Sequence, residues 1–240
     1  MKLIYLSSIY ILSCLAPAGY ADFQYRVDTN DVATITNYTG TGGDVTIPPA
    51  IDGHPVAAIG EFAFHGCTNL LTITFPDCLT NIESRAFSEC TSLTNITITE
   101  FVTVIGEAPF EWCTSLTDIF VEESNPAYAS INGILFNRDA DILLQYPIGK
   151  GGEYIIPYGV THIGNNAFLG CVNLTSVTIP GSVTTIGTSA FDYCSGLASI
   201  NIDNGVTTIG ERAFAWCTSL SSLAIPNSVN SLGAFSFAQC

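Results

Sequence analysis

Residues 172–240 decide the fold: they read VNLTSVTIPGSVTTIGTSAFDYC, SGLASINIDNGVTTIGERAFAWC and TSLSSLAIPNSVNSLGAFSFAQC, three consecutive copies of one 23-residue pattern. The apolar residues, a glycine and a cysteine return at the same place in each copy. A sequence that repeats with a period of roughly 20 to 50 residues is typical of a solenoid, in which each coil buries its apolar side chains against its neighbours. This stretch therefore predicts a stack of similar coils.

Within one copy, the spacing of the residues predicts how a coil is built. Val177 and Ile179 alternate with polar residues, as in a strand with one buried face. Pro180 follows and ends that strand, because proline cannot donate to a sheet. Ile186 and Gly187 form a second short extended piece, and the glycine permits a sharp backbone turn after it.

The complete pattern, Leu-x-x-Ile-x-Ile-Pro-x-Ser-Val-x-x-Ile-Gly-x-x-Ala-Phe-x-x-Cys, resembles the BspA-type leucine-rich repeat of bacterial surface proteins. The resemblance covers residues 45–240 apart from one interruption. It implies an α/β to mainly-β solenoid: a right-handed curved coil with a parallel sheet on one face and short turns, 3-10 turns or helical turns on the other. It also implies adhesion or protein binding without catalytic residues. Single departures from the pattern occur at Glu83, Thr99, Pro109, Asp203 and Ser236.

The first residues have the features of an export signal. Residues 1–21 combine Lys2, an apolar core and a small-x-small cleavage site that ends at Ala21. The apolar core is too short to span a membrane as a helix, and no later segment is long enough. An alternative is a lipoprotein acylated at Cys14. Both interpretations place the protein outside the cell or on its surface.

The segments that depart from the repeat predict two special elements. Residues 22–44 do not match the pattern, and we expect them to form strands that cap the first coil, since a solenoid needs an atypical terminal element. Residues 45–240 are the solenoid. Within it, residues 122–153 are expected to form an expanded repeat, with a hairpin of strands 133–136 and 142–146.

Composition and charge exclude several classes of partner. Hydrophobic residues make up 48% of the chain and charged residues 11%, which predicts a large core rather than disorder. The 21 acidic and 6 basic residues give a net charge of −15, so nucleic acid and anionic lipid are unfavourable partners. The acidity itself is typical of a solubilising surface.

Most of the cysteines follow the repeat. Seven of the nine share one position: Cys67, Cys90, Cys113, Cys171, Cys194, Cys217 and Cys240. In the pattern this position lies three residues after a phenylalanine, which predicts a short helical turn with both side chains inward. We expect a buried column of thiols, a structural thiol ladder. Disulfides between neighbouring coils are the alternative, because the coils lie within bridging distance. Cys78 lies outside the ladder and is expected to be exposed.

Surface positions are multiplied by the repeat into columns. The residue before the ladder cysteine is aromatic in three coils, at Trp112, Tyr193 and Trp216, and should point outward. Exposed aromatic residues are typical recognition anchors, although these could also simply pack along the coil surface. On the strand face the outward residues are small and hydroxylic, with Phe120 as the exception. These four aromatic residues are our candidate ligand contacts.

The residues of catalytic and metal chemistry do not cluster. His54, His65 and His162 occupy different coil positions, so we predict no metal site. Asp139 and Asp141 lie in a loop without the ligand density of a calcium site. Phosphate loops, nucleophile elbows and HExxH motifs are absent from the sequence, which predicts a protein that is not an enzyme and needs no cofactor.

Together these patterns predict a secreted or cell-surface binding module for a protein or glycan. A structural envelope protein and an ice- or crystal-binding protein with a Thr-rich strand face are the alternatives. The pattern continues to Cys240 without a polar cap. We therefore expect either a fragment of a longer protein or end-to-end self-association through the last coil.

Overall fold

The computed structural model describes residues 21–240, so the predicted signal segment and Cys14 lie outside the described residues. The described chain is a β-solenoid of about nine turns with a period near 23 residues, and no helix occurs within it. Its strands are β1 (Phe23–Val27), β2 (Ala33–Tyr38), β3 (Gly43–Thr46), β4 (Ala50–Ile51), β5 (His54–Ile59), β6 (Leu70–Thr74), β7 (Asn81–Ile82), β8 (Asn95–Ile98), β9 (Val104–Ile105), β10 (Asp118–Val121), β11 (Tyr128–Ile131), β12 (Ile134–Asn137), β13 (Ile142–Gln145), β14 (Gly152–Ile155), β15 (His162–Ile163), β16 (Leu174–Ile179), β17 (Thr185–Ile186), β18 (Ser199–Ile202), β19 (Thr208–Ile209) and β20 (Ser231–Leu232).

One face of the solenoid carries the longer parallel strands. They form the ladders β3–β6, β8–β10 and β14–β16–β18. Neighbouring strands pair residues one period apart, as Val177 pairs with Ile200 and Ile179 with Ile202. Val177 and Ile179 are buried while the residues between them face outward, so the predicted alternation is present. We call the outward side of these strands the main sheet face.

A second face is a ladder of two-residue strands. The order β2–β5–β7–β9 runs along the first half of the solenoid and β13–β15–β17–β19–β20 along the second. In most regular coils the strand ends at the isoleucine before the glycine, as Ile186 pairs with Ile209. Ile186 is fully buried, which explains why this position is apolar in every copy.

The third face is made of turns, one of the forms that the predicted fold class included, and its backbone is not helical. Ser189 and Tyr193 have φ angles of 51° and 59°, in the left-handed region, which breaks any helix. The segment instead extends the backbone ladder between coils: the Phe191 amide donates to Ala213 O at 2.7 Å and the Tyr193 amide to Ala215 O at 2.9 Å. Bonds to the next coil alternate with bonds within the turn, such as that from the Asp192 amide to Ser189 O at 3.1 Å, so this face also joins neighbouring coils.

The core is a set of columns, one for each apolar repeat position. The phenylalanine column is stacked: ring centroids lie 4.5 Å apart for Phe168 and Phe191 and 5.2 Å apart for Phe191 and Phe214, with nearly parallel planes. All three rings are fully buried. Burying one such side chain stabilises the fold by about 1.5–3 kcal/mol, and each aromatic pair adds about 0.5–1.5 kcal/mol. Neighbouring coils therefore share most of their stability.

The N-terminal strands continue the solenoid. Strands β1 and β2 pair antiparallel, and β2 then pairs parallel with β5. The Tyr38 ring stacks on Phe64 with centroids 5.0 Å apart, in the line of the phenylalanine column. The Tyr38 amide also donates to Ala63 O at 2.7 Å. Residues 23–38 thus cover the first phenylalanine of the column.

The expanded repeat contains a three-stranded antiparallel unit rather than a two-stranded hairpin. Strand β12 pairs with both β11 and β13, and β13 then joins the parallel ladder through β15. The sequence predicted strands close to β12 and β13 but did not predict β11. Asn125 begins this unit: its buried side chain donates to Thr99 O and Val102 O of the preceding coil.

The last coil is attached by its second and third faces. Strand β20 pairs with β19, whereas residues 220–225 form no strand. Several apolar side chains of this coil are exposed, with Ile225 at 46%, Leu232 at 53% and Phe235 at 69%. The predicted self-association through this coil stays a prediction.

Candidate recognition surface

The thiol ladder has a hydrogen-bonding geometry that the sequence did not suggest. The Cys194 thiol donates to Phe168 O of the preceding coil at 3.0 Å, and Cys217 donates to Phe191 O at 3.2 Å. Phe191 O also accepts the Cys194 amide. The cysteine side chain thus fills the core and also donates a hydrogen bond to a backbone carbonyl oxygen of the preceding coil. The bond repeats along the stack for Cys90, Cys113, Cys171 and Cys240.

The described cysteines are free thiols, and several of the ladder members have a pKa that their surroundings raise. The neighbouring thiol of Cys90 raises the pKa of Cys67, and that of Cys113 raises the pKa of Cys90. Burial raises the pKa of Cys194 and of Cys217. A thiol with a raised pKa carries little thiolate at neutral pH and is a poor nucleophile. The thiols with a raised pKa are therefore expected to react slowly with electrophiles.

Three cysteines differ from their predicted exposure, among them the ladder member Cys67, which is half-buried. Cys78 was expected to be exposed, but it is half-buried and its thiol donates to Pro49 O at 3.1 Å and Val56 O at 3.3 Å. Cys240, a ladder member, is exposed instead. Two backbone carbonyl groups accept hydrogen bonds from the Cys78 thiol, so it faces the protein rather than solvent.

The aromatic residues before the ladder cysteine form a contact cluster. The rings of Tyr193 and Trp216 stack with centroids 5.6 Å apart and planes within 4°. Both side chains remain 39% exposed. Trp112 packs edge-on against Tyr193 at 5.9 Å. We call Trp112, Tyr193 and Trp216 the aromatic cluster.

Gly170 explains how Trp112 reaches Tyr193 across the two intervening coils, which carry Ile148 and Gly170 at this position. Gly170 holds the position that Tyr193 and Trp216 hold in the next two coils, with the same left-handed backbone at φ 72°. A Cβ placed there would lie 3.0 Å from Trp112 Cζ3 and 3.0 Å from Ile148 Cδ1. The absence of a side chain therefore leaves room for the indole. This feature is visible in the sequence, because the residue before the ladder cysteine is a glycine at Gly170 and aromatic at Tyr193 and Trp216.

A charged pair borders the cluster. Arg212 donates to Asp192 Oδ2 from Nε at 3.0 Å and from Nη2 at 2.9 Å. Asp192 is buried, and its Oδ1 has no hydrogen-bond partner among the described residues. The hydrogen bond to Asp192 and the charges of Asp192 and Tyr193 raise the pKa of Arg212. The sequence analysis did not single out either residue of this pair.

Phe120 lies apart from the aromatic cluster, on the main sheet face. It belongs to β10, is 47% exposed and pairs with Thr97 of β8. The neighbouring outward positions hold Asp118 and Asn95. A mixed column of Thr, Asn, Asp and Phe lacks the regular hydroxyl ranks that ice binding requires. The structure therefore groups three of the four candidate residues and separates the fourth.

Residues 21–240 also bear on metal binding and on membrane spans. No group of three or more His, Cys, Asp and Glu side chains in this part of the chain could hold a metal ion. The same residues contain no helix that is long and apolar enough to cross a membrane.

Comparisons with known proteins agree with this architecture. The sequence model of the BspA-type leucine-rich repeat region matches residues 45–142 and 152–240 in six copies. No curated protein matches the chain. The pneumococcal vaccine antigen PcpA is 28% identical with a TM-score of 0.72, covering 79% of this chain and 46% of that one. This chain thus spans about half of that antigen.

Two further solved structures are similar over most of their own length. The leucine-rich repeat protein TpLRR of T. pallidum is 28% identical with a TM-score of 0.56, covering 86% of this chain and 90% of that one. A leucine-rich cell surface protein of Faecalibacterium prausnitzii is 25% identical with a TM-score of 0.55, covering 90% and 84%.

Proposed function

The chain belongs to the BspA-type leucine-rich repeat family, and from this premise we propose that it is a secreted or cell-surface binding module without catalytic activity. Similarity to a cell surface protein and to a vaccine antigen supports the surface location. We propose a protein or glycan as the ligand, bound without a cofactor.

The aromatic cluster carries this proposal. Large aromatic side chains dominate the energetics of recognition surfaces, and here three of them are in contact while two remain 39% exposed. Because Tyr193 and Trp216 stack in parallel, the cluster presents ring edges rather than one flat plane. Ring edges fit into a pocket or against a chain of the partner. The net charge of −15 favours a neutral or basic partner.

The test uses the fact that both tryptophans of the chain belong to the cluster. Protein and glycan arrays probed with the purified chain identify binders, and titration followed by tryptophan fluorescence measures their affinity. We expect Tyr193→Ala to weaken binding by about 30-fold, as for a central anchor. Thr188→Ala, an exposed residue at a coil corner, is the matched control and should leave affinity unchanged.

The same experiment separates the alternatives. A ligand lost on Phe120→Ala but kept on Tyr193→Ala would place recognition on the main sheet face and overturn the proposed cluster. A chain that binds nothing on either array would favour the structural envelope protein.

A further inference from the structure

One coil of the solenoid is shortened at a corner, by which we mean the bend between the second and third faces, such as residues 187–190. From Ile186 to Phe191 the chain advances five positions, and the same spacing recurs in the other regular coils. In the expanded repeat Leu143 takes the place of the isoleucine, because it pairs with Ile163. Tyr146 takes the place of the phenylalanine, since it stacks on Phe168 at 4.9 Å and its amide donates to Ala167 O. Leu143 and Tyr146 are three positions apart, so two corner residues are missing.

The missing corner leaves a notch of about 260 Å³ on the surface. Its walls are the corners of the two flanking coils, residues 106–109 and 164–166. The Asn166 side chain donates to Glu107 Oε1 at 2.7 Å, directly between these coils. Protein interiors are close-packed, and here the deletion is not filled by the chain itself. We call this cavity the notch.

The notch walls carry one backbone donor and one backbone acceptor without partners. At four other corners the equivalent amide donates to the following coil, as Arg85 does to Glu107 O at 3.1 Å and Ser189 to Glu211 O at 2.8 Å, whereas the Phe62 amide makes no such bond among the described residues. The Ala108 amide and the Asn165 carbonyl make no such bond among the described residues. The two missing residues would have joined them. The walls therefore present an N–H and a C=O to the notch from opposite sides.

The floor of the notch adds a polar side chain that has no hydrogen bond within the described part of the chain. Gln145 occupies the position that Ala167 and Ala190 hold in the next coils, and it is only 7% exposed. Its amide forms no hydrogen bond with the described part of the chain, although it lines the cavity. Beside it, the Tyr128 hydroxyl accepts the Ile105 amide at 2.9 Å and closes the edge of β9. The Gln145 amide lines the cavity, so a ligand in the notch can hydrogen-bond with it.

We propose that the notch binds a short extended segment of a partner protein, two residues of which replace the missing corner. A carbonyl of the peptide accepts the Ala108 amide and an N–H of the peptide donates to the Asn165 carbonyl, which adds two bonds to the backbone ladder at this corner. This is strand addition at a gap in a ladder. The Gln145 amide binds a further backbone group of the peptide. Glu107 and the net charge of −15 favour a peptide that is neutral or basic.

A peptide fits the walls better than a sugar does. The unpaired groups are one N–H and one C=O on opposite walls, which is the complement of a peptide backbone. Hydroxyl groups would satisfy them without any preference for their order. The notch is distinct from the aromatic cluster, so this proposal stands independently of the proposed function.

The test pans a library of linear peptides displayed on phage against the purified chain. Affinities of enriched peptides are then measured by titration, and residue-resolved hydrogen exchange follows the Ala108 amide. We expect slower exchange at Ala108 on binding and an affinity about threefold to tenfold weaker for Gln145→Ala, the loss of one hydrogen bond. Insertion of Thr-Ser between Leu144 and Gln145, which restores the corner, should abolish binding. Gln239→Ala is the control on an exposed glutamine.

The test of peptide binding at the notch is independent of ligand binding at the aromatic cluster. Tyr193→Ala should leave peptide affinity unchanged, whatever it does to array ligands. The proposal is overturned if no peptide is enriched, if Gln145→Ala binds as well as the wild type, or if Ala108 exchange is unaffected. Glycans that bind in a Gln145-dependent way without any peptide binding would likewise overturn it. If the insertion variant fails to fold, Gln145→Ala and the Ala108 readout decide, because alanine is the residue of the neighbouring coils.

Discussion

The indole of Trp112 lies across Gly170, with its Cζ3 only 3.0 Å from where a Cβ of residue 170 would stand. This contact lets Trp112 reach Tyr193 at 5.9 Å, past two coils that carry Ile148 and Gly170 at this position. The aromatic cluster thus depends on the absence of one methyl group. It is a tertiary arrangement rather than a property of the repeat.

Gly170→Ala should lower stability and separate Trp112 from Tyr193. The left-handed backbone at φ 72° costs an alanine roughly 1–2 kcal/mol, and the crowding with Trp112 and Ile148 adds about 1 kcal/mol or more. Chemical unfolding measures the free energy, and tryptophan fluorescence reports the displaced indole.

Gly66→Ala provides the control for the backbone cost. Gly66 has the same repeat position and a φ of 69°, but nothing lies within 4 Å of its added Cβ. Equal losses of stability for the two variants, with unchanged fluorescence for Gly170→Ala, would show that the Trp112 contact does not constrain the cluster.

The repeat made most of the fold predictable from the sequence. Ile186 and Ile209 pair one period apart because each coil meets only its neighbours, so local spacing already encodes the long-range contact. The turn face was harder. Phe191 and Cys194 have the spacing of a helical turn, whereas the observed left-handed residues are set by hydrogen bonds to the following coil.

The candidate sites were less predictable, because each depends on a departure from the repeat. The sequence identified Trp112, Tyr193 and Trp216 by their shared position, but not that Gly170 would let Trp112 cross two coils. Residues 142–146 had the pattern of a hairpin strand. That Tyr146 also completes the phenylalanine column follows from its stacking on Phe168, which the alternation of a single strand does not show.

Ile186→Asp should unfold several coils together. Ile186 is fully buried, and an unpaired carboxylate there costs on the order of 4 kcal/mol. Neighbouring coils share interfaces, so the loss spreads along the stack. Circular dichroism against temperature measures it, with Thr188→Asp at an exposed corner as the control. A wild-type melting profile for Ile186→Asp would refute the shared core.

Thiol labelling should follow exposure and pKa. Cys240 is exposed and should react first, followed by Cys78, which is half-buried. Cys67 is also half-buried but its pKa is raised, so it should react more slowly than Cys78. The fully buried ladder thiols should react only in denaturant. Mass spectrometry after timed alkylation gives the order, and a disulfide-linked peptide joining Cys194 to Cys217 would contradict a ladder of free thiols.

Stability should fall at alkaline pH because of the ladder. The pKa values of Cys67, Cys90, Cys194 and Cys217 are raised in the folded protein. Above about pH 9 the unfolded chain loses these protons and the folded chain keeps them, so the unfolded state is favoured as pH rises. The expected slope is about 1.4 kcal/mol per pH unit for each such thiol. Below about pH 8 this contribution to stability is fully present.

Urea unfolding between pH 7 and 10 in reductant measures this slope. Cys217→Ala should be less stable at every pH but should show a shallower fall, because one thiol no longer titrates. A free energy of unfolding that stays constant up to pH 10 would mean that the thiols ionise equally in both states.

Asp192 and Arg212 should be energetically coupled. Asp192 is buried with one carboxylate oxygen already unpartnered, so Arg212→Ala would leave its charge uncompensated. The full cost of breaking a buried pair is about 3–5 kcal/mol. The Arg212 side chain is 37% exposed and solvent reaches the site, so we expect about 2 kcal/mol. Asp192→Ala should cost less, because Ala215 and Ala238 hold the same position in the next two coils.

The double variant of Asp192 and Arg212 to alanine tests this coupling directly. Once Asp192 is gone, removal of Arg212 exposes no buried charge, so the double variant should be about as stable as Asp192→Ala alone. Arg212→Lys should be intermediate, since an ammonium keeps the charge but cannot donate from both Nε and Nη2 as arginine does. Urea unfolding at neutral pH gives all four free energies. If the two single losses simply add in the double variant, the pair is not coupled, and Arg212 stabilises the turn face through its contacts with Tyr193 and the next coil instead.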